Sequence, residues 1–114
     1  MASLLLISLV GCTVPRASSP LAVEQLVRHC AELNGREVLL KAEYRGWRCP
    51  PDCGPPPLTR SDACFVDQNA CVYAVGTGGL DPLRDAGKKV LVRAVVRFEN
   101  GRCLLDVREV KPAP

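Results

Sequence analysis

Apolar positions recur along this chain at two different spacings, and the change between them separates a helix from a run of strands. Between Ser19 and Gly35, the residues Leu26, Val27, Cys30 and Leu33 fall at the three- and four-residue intervals that line one helix face. Ser19 suits the N-cap, Pro20 the first helical position, and Asn34-Gly35 a left-handed C-terminal cap. His29 flanks the apolar face, as a partly exposed helix histidine would. From Arg36 onward the interval becomes two. Val38, Leu40, Ala42 and Tyr44 alternate with Leu39, Lys41 and Glu43, which predicts a first strand. Gly46 breaks the alternation, and a bulge or bend there would turn Trp47 to the other face.

The stretch from Arg48 to Asp62 holds Pro50, Pro51 and Pro55-Pro56-Pro57, which exclude both helix and interior strand. Two short strands follow, Cys64–Val66 and Cys71–Val75, then a Gly76-Thr77-Gly78-Gly79 loop and a single helical turn capped by Asp81 ahead of Pro82. The clearest element is the last hairpin, Lys88–Phe98 with Arg102–Val110. Asn100-Gly101 between them is the preferred pair for a type I′ turn. A two-residue loop sets Phe98 opposite Cys103, Val96 opposite Leu105 and Ala94 opposite Val107 on one face. Arg97 then faces Leu104, and Val95 faces Asp106, on the other. A helix followed by five strands excludes an alternating α/β fold. The bend in the first strand favours a small, partly open barrel over a sandwich.

The N-terminus changes the picture. Ala2 to Val10 is almost wholly apolar, and these nine residues are too few to span a bilayer, which takes about 20. They match the apolar core of a secretory signal. Leu9-Val10-Gly11-Cys12 resembles the lipobox of bacterial lipoproteins. That resemblance implies a signal peptide over 1–11, diacylglycerol and palmitate on Cys12, a tether over 12–20 and a domain over 21–111. It also implies membrane attachment through the lipid, in the cell envelope, at the periplasmic face of the outer membrane or exported. The alternative is an N-terminal strand buried in the fold.

Seven cysteines are present, and setting Cys12 aside leaves six: Cys30, Cys49, Cys53, Cys64, Cys71 and Cys103. An even number in a small exported domain reads as disulfides. A tight turn at Asp67-Gln68 would oppose Cys64 and Cys71 at disulfide distance, so this pair is expected. Cys49-Pro50-Pro51-Asp52-Cys53 also admits a metal or redox reading, but its C-x₃-C spacing is not that of a thioredoxin-like motif, and His29 is the only histidine. No metal and no cofactor are expected.

Several short motifs point to a family. Gly35-Arg36-Glu37-Val38, Tyr44-Arg45-Gly46-Trp47, Pro57-Leu58-Thr59-Arg60-Ser61-Asp62, Val72-Tyr73 with Gly76, and Gly87-Lys88-Lys89-Val90 resemble the OB-fold domains of small exported bacterial proteins. These are akin to the tRNA-anticodon-binding-like group. The resemblance spans residues 21–111 and implies a mainly β, five-stranded OB-fold-like barrel with an N-terminal helix. It implies fold more firmly than function, because enzymatic activity is not a general property of such relatives.

In an OB-fold, ligands lie on the face of strands 2 and 3, between the loops joining strands 1–2 and 4–5. Here the first of these loops is long and the second is only Asn100-Gly101, one tall wall and one low one. Trp47, Arg48, Arg60, Tyr73, Arg93, Arg97 and Arg108 would together form a basic face with aromatics. Each also has a structural reading: Trp47 covering the barrel end, Arg60 pairing with Asp62 or Asp67, and Arg93 and Arg97 solvated near Asp106 and Glu109. A formal charge of +3, with two Phe, two Tyr and one Trp, is thin for a nucleic-acid platform. No Ser/His/Asp or Cys/His set and no phosphate loop is legible, so a non-enzymatic protein is expected. The expectation is a lipid-anchored envelope binding or scaffolding module for an envelope protein or small ligand. The alternatives are a binder of nucleic acid or anionic oligosaccharide and, more weakly, a metal-binding protein.

Overall fold

The alternation from residue 37 to 46 becomes a strand that serves both halves of a closed sheet. In the computed structural model, which describes residues 19–56, 62–77 and 79–114, β1 spans Glu37–Gly46 and buries Leu40, Ala42 and Tyr44. One edge of β1 pairs with β2 (Ala63–Val66) and the other with β4 (Lys89–Glu99), both antiparallel. β3 (Cys71–Val75) pairs antiparallel with β2 and parallel with β5 (Arg102–Pro112), and β4 and β5 complete the hairpin. The closed order β1-β2-β3-β5-β4 gives a mainly β, OB-fold-like barrel. Gly46 adopts φ +58 and the β1–β2 register slips between Tyr44 and Gly46, which is the bend expected from the broken alternation.

The hairpin register follows the sequence pattern: Phe98 pairs with Cys103, Val96 with Leu105, and Ala94 with Val107. Asn100 and Gly101 both take positive φ, as a type I′ turn requires. A bulge at Arg93/Ala94 brings Arg93 opposite Glu109, and β5 runs on to Pro112, two residues past the expected end.

The helix is shorter than its apolar spacing predicts. It forms as α1 (Val23–Arg28) and α2 (Cys30–Leu33), broken at His29, with Ala22 rather than Ser19 at the N-cap. Leu21 is drawn out of the helix because β1 takes both its backbone groups: its N–H bonds to Leu39 O at 2.8 Å, and Lys41 N–H bonds to its O at 2.9 Å. Val23, Leu26 and Cys30 enter the core, whereas Val27 stays partly exposed. Glu24 N–H bonds to Asp67 at 2.9 Å, so α1 sits against the β2–β3 turn and closes that end of the barrel. His29 pairs with Glu32 at 3.0 Å at the surface.

The expected Cys64–Cys71 bridge does not form. Val66 pairs with Cys71, so the β2–β3 turn holds four residues, Asp67 to Ala70, rather than two. The Asp67 carboxylate fixes it by accepting the Asn69 and Ala70 N–H groups, each at 2.9 Å. Cys64 then stands opposite Tyr73, and Cys71 becomes its diagonal neighbour, at a separation of about 7–8 Å that no disulfide spans. The bridges are Cys30–Cys103, Cys49–Cys64 and Cys53–Cys71, so all six expected cysteines are used. Three disulfides mark an extracytoplasmic protein. The leader, Cys12, most of the tether, and Arg60 lie outside the described residues. Among the described residues, no helix is long and apolar enough to cross a membrane.

Candidate functional site

The face on which OB-folds hold ligands is covered here by the chain's own loop. Residues 49–53 turn through a short 3-10 helix, Pro51–Cys53, which aims Cys53 at Cys71 while Cys49 reaches Cys64. The loop is thereby drawn across the outer side of β2, β3 and β5. Cys64, Val66, Tyr73 and Leu104 form a second buried cluster beneath it. The Tyr73 hydroxyl donates to Gly54 O at 2.7 Å, and Arg102 donates to Pro55 O. Tyr73 is therefore 5% exposed and serves as a pin for the loop. The tall wall leans over the cleft it was expected to border. The sulfurs of Cys49, Cys53 and Cys64 lie within 4.8 Å of one another, the cluster that a metal reading needs. Their engagement in S–S bonds removes the thiolates that would ligate.

The structure does not gather the remaining candidates into one face. Trp47 and Arg48 are exposed at the barrel end reached by β1, where Trp47 N–H bonds to Pro82 O at 3.3 Å. Arg93 lies on the outer wall, bonded to Glu37 at 3.0 Å and Glu109 at 3.2 Å. Those bonds, Glu37 first, push its already high pKa further up. Arg97 pairs with Glu99 and Arg108 with Asp106. Arg93, Arg97 and Arg108 each have a neighbouring carboxylate, which weakens the field a polyanion would feel.

An open groove of about 700 Å³ lies elsewhere, where β3 and β5 part. β3 ends at Val75, and Gly76, with φ +82, turns the chain away from β5. The approach is close: a Cβ on Gly76 would stand 2.9 Å from Val107 O. β5 continues beyond this point paired with β4 alone. Leu80, Val90, Val107 and Val110 give the groove apolar surface, and Lys89 and Lys111 give it charge. None of these was a candidate from sequence. The available signal was a length mismatch, since a five-residue third strand cannot cover a last strand of eleven.

Thr77, Gly79 and Leu80, ahead of the Asp81 turn, form the opposite wall. Asp81 caps its turn as expected, accepting the N–H groups of Leu83 at 2.9 Å and Arg84 at 2.8 Å. Asp85 bonds to Lys88 at 2.7 Å and accepts the Asp81 N–H. Lys88 first, then that N–H, hold its carboxyl below the usual range. Tyr44 is fully buried, and its hydroxyl has no hydrogen-bond partner among the described residues. Burial pushes its pKa up, and Asp85 and Asp81 add to the rise. The Thr77 side chain opposes it without reaching hydrogen-bonding geometry.

A folded-state pKa above the ordinary phenol value leaves stability unaffected below about pH 10 and erodes it as pH rises beyond. Tyr44→Phe is therefore expected to be neutral or stabilising by about 1 kcal/mol at pH 7, since a buried unpaired hydroxyl is removed. It should also flatten the alkaline limb of a denaturation–pH series. Destabilisation by more than about 1 kcal/mol would show that the hydroxyl is well paired.

The chain matches no protein-family model, no curated protein and no solved structure.

Proposed function

We propose that the protein is a lipid-anchored binding module of the cell envelope, held by a lipid on Cys12, and that the groove between β5 and the Gly76–Leu80 loop is its binding site. The observation that carries this reading is the groove itself. Its volume of about 700 Å³ falls in the usual range for ligand sites, and it combines apolar walls with a basic rim. The disulfides, which belong to an oxidising compartment, support the location. Among the described residues, the lining offers lysine, arginine and one glutamate but no nucleophile with an adjacent base, which favours binding over turnover. Paired arginines and a covered Tyr73 weigh against a polyanion ligand.

Two measurements test the reading. Metabolic labelling with palmitate should mark the protein and fail in Cys12→Ala. A photo-crosslinking residue at position 111, on the groove, should yield discrete adducts in cells, and one at position 28, at the far end, should not. Native protein found in the cytosol with free thiols, or equal cross-linking from both positions, defeats the proposal.

A further inference from the structure

The groove's most distinctive wall is backbone. Ala113 N–H bonds to Lys89 O at 3.0 Å, and Lys111 and Glu109 pair with Leu91 and Arg93. In an antiparallel ladder, successive residues point their N–H and C=O groups to alternate sides. Glu109, Lys111 and Ala113 therefore face β4, while the N–H and C=O of Val110 and the C=O of Pro112 face the groove. β3 cannot take them, because its pairing with β5 stops at Asp106. Among the described residues, nothing else bonds to this edge.

We infer that this edge of β5 accepts an extended acidic segment of a partner protein as an added strand. The inference rests on the groove being the binding site and names what enters it. One partner residue would exchange two backbone hydrogen bonds with Val110, and another would donate to Pro112 C=O. Inward side chains of the segment would meet Leu80, Val90 and Val110. The charge of the rim selects the sign of the others. Lys88 and Arg108 are matched by Asp85 and Asp106, but Lys89 makes no ion pair among the described residues, and Lys111 has only Glu109 at 3.8 Å. Two ammonium groups beside unpaired backbone favour carboxylates at alternate positions. A second copy of this chain fits less well, because it would bring its own β4 and loop into a space bounded by Thr77, Gly79 and Leu80.

The probe is a fluorescein-labelled peptide, Gly-Glu-Val-Glu-Ile-Glu-Gly, verified as monomeric and titrated at low salt by fluorescence anisotropy. Three comparators accompany it: the same peptide with Lys for each Glu, and two copies N-methylated at alternate sets of residues. The acidic peptide should bind, and the Lys peptide at least tenfold more weakly. One N-methylated set should lose at least tenfold and the other much less, because only one set faces β5. On the protein, Lys89→Glu/Lys111→Glu should reverse the charge preference. Val110→Pro, which deletes the edge donor and leaves the β4 ladder intact, should abolish binding while the three disulfides and the unfolding transition persist.

Equal binding of both charge types, indifference to both N-methylated sets, or no binding by any peptide overturns the inference. So does a concentration-dependent dimer that Val110→Pro disrupts, since the edge would then belong to a second copy. Adducts from position 111 in cells combined with failed peptides would leave the groove as the site and remove only the added strand.

Discussion

Replacing Cys30 and Cys103 together by alanine is expected to lower the unfolding free energy by about 4 kcal/mol, the largest loss from any one bridge. The bridge joins α2 to the start of β5 across 73 residues, whereas Cys49–Cys64 and Cys53–Cys71 span 15 and 18. The entropy that an intact cross-link withholds from the denatured chain grows with the logarithm of the loop, so either shorter bridge is worth about 3 kcal/mol by the same argument. Cys30 is also buried against the hairpin, close to Arg97 O, so the helical cap loses its covalent hold on β5 and its packing against β4 at once. Total stability for a domain of this size is about 5–15 kcal/mol, which makes this a large fraction. Guanidinium denaturation of the exported double variant checks the expectation. A loss below about 1 kcal/mol would mean that the helix is held by packing alone.

Gly46→Ala is expected to destabilise by about 3–5 kcal/mol, combining backbone strain with a clash that nothing nearby can relieve. Gly46 sits at φ +58, and a Cβ there would fall 2.0 Å from Pro82 O. That obstacle is main chain, fixed by the Asp81 cap and by the Trp47 N–H bond to the same oxygen. Gly101→Ala is the control. It too has positive φ, +76, but a Cβ there meets open space, so its loss should stay near 1 kcal/mol. Thermal unfolding of the two variants side by side separates the contributions, and equal losses would show that the approach of Pro82 is unimportant.

Much of the barrel was legible because its signals are local. Asn100-Gly101 set the hairpin register, alternating apolar residues set the inner face of β1, and the isolated Gly46 set its bend. What escaped depends on partners distant in sequence. The helix start shifted because Leu21 bonds across to Leu39 and Lys41, which no periodicity reveals. The disulfide partners of Cys64 and Cys71 were hidden by one side chain, since Asp67 stabilises a four-residue turn where a two-residue one was expected. The candidate site was the least legible part. Residue type marks the aromatic and basic positions, but Tyr73 is spent on the loop and Arg93, Arg97 and Arg108 on nearby acids. The groove is instead made by unequal strand lengths, a relation between elements that no single motif carries.

The placement of the three bridges reaches beyond their energies. Two fasten the proline loop to β2 and β3, and the third fastens the helical cap to β5 near the Asn100-Gly101 turn. None crosses from the Gly76–Leu80 loop to the far half of β5. A guest entering the groove there would displace no sulfur, because none of the six bonded cysteines lines it.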